Sequence, residues 1–206
     1  MRVITPRSKP SILMHHLAIF ASGNGSNARK ILEYFEHHPS IRVGAIVTNN
    51  PQAGVIRHAQ EFGVPLLLID KSMLHQKGLV AQLLKDRAID WVILAGFLLL
   101  IPPDLVEAYP DRMLNIHPAL LPKYGGKGMY GMHVHQAVKD AGESETGITI
   151  HFVNTRYDEG HIYFQARCDV EESDTPEDIA HKIHELEYRH FAPIIEKAIR
   201  ESENYP

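Results

Sequence analysis

Leu17-Ala18-Ile19-Phe20-Ala21-Ser22-Gly23-Asn24-Gly25-Ser26-Asn27 decides the fold of this chain. Five apolar residues run together without alternation, as a strand covered on both faces requires. A glycine-rich turn follows, and residues 27–35 then read as a helix. A strand that enters a helix through such a turn is the opening unit of a parallel sheet. The same alternation continues outward. Strands are expected at 41–47, 64–69, 91–95 and 113–115, with helices at 53–62 and 79–87. Further strands are expected at 149–153 and 162–170. The last helix begins at a clear signal, Thr175 as N-cap with Pro176, Glu177 and Asp178 in the first turn, and runs to about residue 202, with a bend at Pro193. The fold class is therefore α/β, with a mostly parallel central sheet and helices on both faces.

The chain has 206 residues, enough for one sizeable domain and too few for two ordinary ones. Residues 15–206 are read as that domain. Residues 1–14, with two prolines and no apolar h-region, are read as a flexible leader. Hydrophobic residues make up 44%, so a packed core is expected rather than disorder. The net charge is -4 and no Lys/Arg-rich run occurs, which argues against a nucleic-acid partner. No apolar run has the length of a membrane span. The single cysteine, Cys168, fits a reducing compartment, and a cytoplasmic location is expected.

Ligands of such sheets bind at the carboxyl ends of the strands, so chemistry is sought after Ala21, Ala95 and Leu114. The first of these segments, with Gly23 and Gly25, presents amides and a helix N-terminus to an anion, most simply a phosphate. An ordinary turn capped by Ser26 or Asn27 is the plainer alternative. Gly23-x-Gly25-x-x-Ala28 also fits the dinucleotide pattern, but the second strand ends in Thr48-Asn49-Asn50, where that reading needs a carboxylate. Asn115-Ile116-His117-Pro118 places an amide and an imidazole on one side of an extended segment. An amide donor suits a developing oxyanion, and an imidazole can share that work or carry a proton. A buried histidine bonded to a loop carbonyl is the competing explanation. Asp158, in Tyr157-Asp158-Glu159-Gly160, would orient that imidazole if the two meet; most Asp-x-Gly segments are only turns. The 14 histidines include no metal-ligand motif, and no metal is expected.

Taken in order, residues 22–27, 94–97, 115–118, 120–123, 151–153 and Asp158 resemble the phosphoribosylglycinamide formyltransferase family, over nearly the whole chain from Leu17. The resemblance implies transfer of a formyl group from 10-formyltetrahydrofolate to the amine of 5-phosphoribosylglycinamide in purine synthesis. It implies small-molecule partners only, a monomer or homodimer, and a Rossmann-like formyltransferase fold. It assigns the substrate phosphate to Gly25, Ser26 and Asn27, and substrate binding also to Glu187. It assigns the pterin pocket to Leu98, Leu99, Leu100 and Ile101, and contact with the formyl oxygen to Asn115. His117 becomes the general acid, its pKa raised by Asp158. The sequence departs from the family at Leu98-Leu99, often Met-Arg, at Gln76-Lys77, and in the glycine-rich 125–132 loop, longer than the short form and suggestive of a flap. Formyltetrahydrofolate hydrolase, methionyl-tRNA formyltransferase and a non-catalytic nucleotide-binding module are the alternatives.

Overall fold

A computed structural model describes residues 13–203. The leader expected at 1–14 lies outside the described residues except for its last two positions. One seven-stranded sheet organises the chain in the order β3-β2-β1-β4-β5-β6-β7. The strands are β1 (His15–Phe20), β2 (Ile41–Thr48), β3 (Leu66–Leu68), β4 (Trp91–Leu94), β5 (Met113–His117), β6 (Glu145–Phe152) and β7 (Ile162–Asp169). The first five run parallel; β6 and β7 are antiparallel additions at the β5 edge.

Every expected strand is present, with shifted ends. β1 starts at His15 rather than Leu17, and β5 continues through His117 because β6 supplies pairing partners as far as Thr149. Strand β6 starts four residues before the expected 149 because β7 pairs with it down to Glu145. Three helices were not expected: α3 (Lys71–His75), α5 (Pro103–Ala108) and α6 (Met132–Asp140). Helices α3 and α5 have only five and six residues, too few to show a period, and α6 starts at the end of the glycine-rich 125–132 stretch. The remaining helices are α1 (Ser26–Phe35), α2 (Val55–Glu61), α4 (Leu79–Lys85) and α7 (Pro176–Glu203). Helix α7 begins at the expected box, in which the Thr175 hydroxyl accepts from the Asp178 amide at 3.1 Å and the Asp178 carboxylate accepts from the Thr175 amide at 2.9 Å. It continues past Pro193.

The unbroken apolar strands serve two cores. Leu17 and Ile19 face α1, α2 and α7 with Ile31, Phe35 and Ile183, whereas Ala18 and Phe20 face α3, α4 and α5 with Leu74, Leu84 and Leu105. Alternate residues thus enter opposite layers, which is why the sequence shows no polar alternation.

Beyond β5, the chain is held to β6 by one buried hydroxyl. Thr149 Oγ1 accepts from the Leu121 amide at 3.0 Å and from Gln165 Nε2 at 2.9 Å, and donates to the Ala119 carbonyl at 2.7 Å. This fixes residues 118–122 directly after the Asn115-Ile116-His117 segment. Thr149→Val keeps the shape but leaves the Leu121 amide and Ala119 carbonyl unpaired. Urea denaturation is expected to show a loss of about 1–3 kcal/mol; an unchanged midpoint would mean that the hydroxyl does not hold the loop.

Candidate active site

The carboxyl ends of β1, β4 and β5 open into a cleft of about 720 Å³. Ser22 ties its floor together. Its hydroxyl donates to Asn49 Oδ1 at 2.5 Å and accepts from the Leu98 amide at 3.0 Å, and its carbonyl accepts from Asn50 Nδ2 at 3.3 Å. The end of β2 therefore carries amides because they hold the first loop, not a nucleotide ribose.

At that loop, Gly25 is the N-cap of α1, in place of Ser26 or Asn27, with φ of 75° and no side-chain cap. A Cβ here would stand 2.6 Å from Val55, so glycine is required on both conformational and steric grounds. Residues 25–27 line the cleft, and first-turn amides have no acceptor inside the helix. Across from them, Asn27 Nδ2 donates to Glu187 Oε2 at 2.9 Å, joining α1 to α7. Burial pushes the Glu187 carboxyl up to about 7, against the pull of Asn27.

At the other end stand Asn115, His117 and Asp158. Asn115 and His117 share one face of β5, and register places Asn115 opposite Leu94 on one side and His151 on the other. Asp158 Oδ2 lies 3.6 Å from His117 Nδ1 and accepts from the Gly126 amide at 2.9 Å. Its Oδ1 lies 3.4 Å from Asn115 Nδ2 and 3.6 Å from His151 Nε2. The opposite ring nitrogen of His117, Nε2, donates to the Tyr124 carbonyl at 2.7 Å. Tyr124 and Asp158, which flank the two His117 nitrogens, both have left-handed backbone, with φ of 56° and 55°. Such conformations persist where surrounding contacts enforce them.

Burial pushes the Asp158 carboxyl upward, but His151, the His117 ring and the Gly126 amide together hold it below the usual range. It is an anion at neutral pH. The expected upward pull of Asp158 on His117 is present. Burial of the ring outweighs it, however, so His117 sits below the ordinary histidine value. The sequence expectation of a raised pKa is corrected on that point: His117 is neutral at pH 7, with its proton on Nε2 and an open lone pair on Nδ1.

His151 escaped sequence reasoning as a site residue. It is buried, its Nδ1 donates to the Phe152 carbonyl at 2.9 Å, and its Nε2 stands 3.0 Å from Asn115 Nδ2. The 151–153 segment enters the family resemblance without a role for His151, and its place beside Asn115 comes from the β5–β6 register. The four residues expected to form a pterin pocket separate. Leu98 lines the main cleft, whereas Leu99, Leu100 and Ile101 line a side cavity of about 60 Å³ that shares Phe97, Asn115, Tyr157 and Asp158 with it. The glycine-rich loop, residues 126–131, forms the outer wall.

Residues 15–195 match the model of the formyl transferase family. The chain is 42% identical over 185 residues to phosphoribosylglycinamide formyltransferase, chloroplastic, of Arabidopsis thaliana, covering 87% of this chain. It spans just under two thirds of the length of the two plant relatives, 63% and 64%. It is 32% identical to phosphoribosylglycinamide formyltransferase of Bacillus subtilis, covering 90% of this chain and 95% of that protein. The crystal structure of phosphoribosylglycinamide formyltransferase from Bacillus halodurans superposes with a TM-score of 0.82 at 34% identity, covering 92% of this chain and 98% of that one. With the family model spanning most of the chain, and with an amide, an imidazole and a carboxylate gathered at the end of β5, this chain belongs to the formyl transferase family.

Proposed function

We propose that the chain transfers the formyl group of 10-formyltetrahydrofolate to the amine of glycinamide ribonucleotide, a step of purine synthesis carried out in the cytoplasm. The observation that carries this reading is the cleft with an amide-rich anion site at one end and the Asn115–His117–Asp158 cluster at the other. A phosphate held by the amides of Gly25, Ser26 and Asn27 would direct the far end of a sugar-phosphate amine toward Asn115. Glu187 accepts substrate donors between these ends. The folate enters beside Leu98, with Leu99, Leu100 and Ile101 behind the wall that receives its pterin. Holding both substrates in register provides much of the rate gain, because attack becomes effectively intramolecular.

Attack of the amine on the formyl carbon places negative charge on the formyl oxygen and positive charge on the nitrogen. Asn115 Nδ2 has one proton directed at His151 and a second only loosely engaged at 3.4 Å from Asp158. That second proton is available to the oxyanion. As charge develops, neutral His117 takes the proton that the attacking amine loses, at Nδ1, and the resulting imidazolium donates to the same oxygen. Asp158, anionic throughout, stabilises that imidazolium and orders the water through which the same proton travels on from His117 to the departing folate nitrogen. Collapse breaks the bond from carbon to that nitrogen and yields the formamide.

A coupled assay with both substrates tests the reading directly; no formyl transfer to glycinamide ribonucleotide by the pure protein would remove it. His117→Ala is expected to reduce kcat about 100-fold, on the order of 3 kcal/mol, with a well-folded protein by circular dichroism. Turnover near wild type would exclude His117 from the chemistry.

Asp158 raises the His117 pKa, so its charge keeps the proton on His117 to higher pH. Since the resting ring must be neutral to accept a proton, kcat/KM falls at low pH as His117 becomes protonated. In Asp158→Asn the upward pull is lost, and the acid limb of the kcat/KM profile is expected at lower pH with a lower plateau. A limb that stays fixed, or moves up, would detach Asp158 from the titration.

Glu187 has its folded pKa at about 7, above the usual glutamate value of about 4.3. The folded state therefore holds this proton more tightly than the unfolded state, and stability falls as pH rises between those values. Glu187→Gln keeps the Asn27 contact and removes the titration. Its melting temperature is expected to exceed wild type at pH 8, by on the order of 3 kcal/mol in stability, and to match it near pH 4. An equal difference at both pH values would contradict the burial of this carboxyl.

A further inference from the structure

The carbonyl that receives His117 Nε2–H belongs to a residue tied down at its other end. Tyr124 has left-handed backbone, with φ of 56°, a conformation that crowds a Cβ and persists only where contacts hold it. Its hydroxyl donates to Glu143 Oε1 at 2.8 Å. Glu143 lies 19 residues further along, in the turn between α6 and β6, and has no role in the reading above. Lys123 Nζ donates to the same oxygen at 2.8 Å. Lys123 and the Tyr124 hydroxyl hold the Glu143 carboxyl below the usual range, so it is an anion and only accepts. Directly after Tyr124 the chain has no slack. A Cβ on Gly125 would stand 2.5 Å from Leu121 Cδ2 and 3.3 Å from Asp158 Cβ. The peptide that carries the Tyr124 carbonyl is therefore set between an anchored side chain and a tightly packed glycine.

The orientation of that carbonyl matters because two acceptors compete for the single proton of neutral His117. The Tyr124 carbonyl, 2.7 Å from Nε2, is within hydrogen-bond distance, and Asp158 Oδ2, 3.6 Å from Nδ1, is beyond it. The carbonyl thus keeps the proton on Nε2 and leaves the Nδ1 lone pair for the proton that the amine loses. If Tyr124 relaxes to ordinary backbone, its carbonyl turns away from Nε2. The anionic Asp158 then draws the proton to Nδ1, and the accepting nitrogen is blocked.

Resting on the proposed function, we propose that Glu143 is a positioning residue for formyl transfer, which through the Tyr124 hydroxyl holds the left-handed backbone that fixes the His117 tautomer. Glu143 is not among the residues that line the cleft, so it acts on the reaction only through Tyr124.

Long-range proton–nitrogen correlation spectra of the full chain with labelled histidine read the His117 tautomer without requiring turnover, and His117→Asn identifies its signals. Wild type is expected to carry the proton on Nε2. Glu143→Ala and Tyr124→Phe, which keeps the ring and drops the hydroxyl, are each expected to shift the tautomer ratio about tenfold toward Nδ1–H, as the loss of one hydrogen bond to a charged group predicts. The double variant is expected to shift it no further than either single one, because both remove the same contact. In each, kcat is expected to fall severalfold with KM for both substrates unchanged, the signature of an interaction that acts on the chemical step. Glu143→Gln, whose amide oxygen still accepts from Tyr124, is expected to restore the wild-type ratio, and Lys123→Met to leave it unchanged. If Glu143→Ala does not fold, Tyr124→Phe carries the test. A wild type with the proton on Nδ1, or variants that melt earlier with the tautomer unmoved, would overturn the assignment. So would a glutamine variant that restores nothing. A tautomer that shifts as expected in a protein without formyl transfer would instead count against the proposed reaction alone.

Discussion

The site depends on β5 being paired differently along its two edges. β4 runs parallel on one side and aligns Leu94 with Asn115, so the loop after β4 emerges beside the reacting segment. β6 runs antiparallel on the other and aligns His151 with Asn115. A parallel neighbour there would have sent the chain back across the sheet through a helix. The antiparallel strand instead leads directly into the 153–161 turn, and that turn delivers Asp158. β6 leaves at the level of Leu114, and the 153–161 turn folds back so that a carboxylate more than forty residues along the chain reaches His117.

Two left-handed residues complete the arrangement, and each addresses one side of the same ring. Tyr124 presents its carbonyl to His117 Nε2, and Asp158 presents its carboxylate to His117 Nδ1. The Tyr124 contact fixes where the ring proton sits, and the carboxylate adjusts how readily a second proton arrives. Burial sets the balance between them and leaves the ring neutral at rest. Low polarity in the cleft strengthens the dipoles aimed at a developing oxyanion. The same low polarity keeps Glu187 only weakly acidic, so the cleft holds one firmly ionised carboxylate and one near its titration point.

The sheet was legible because its signal is local. Runs such as 17–21 and 91–95 are apolar at every position, and a strand covered on both faces has no other composition. The helices α3 and α5 were not legible, since five and six residues carry too little periodicity, and α6 begins inside the glycine-rich 125–132 stretch that reads as a flap. In the site, Asn115 and His117 could be paired by strand alternation alone. His151 could not, because its relation to Asn115 exists only in the β5–β6 register.

By itself, then, the sequence determined the parallel α/β architecture, the glycine turn that must accept φ of 75° at Gly25, and the types of group available for acyl transfer. Those properties follow from side-chain composition and backbone sterics within a few residues. Only the tertiary structure decided that Asp158 meets His117, that Leu98 parts company with Leu99, Leu100 and Ile101, and that His117 is neutral. Contacts between distant segments depend on register and loop path, and a pKa depends on how much water the whole fold excludes. Neither quantity is a property of any short stretch of chain.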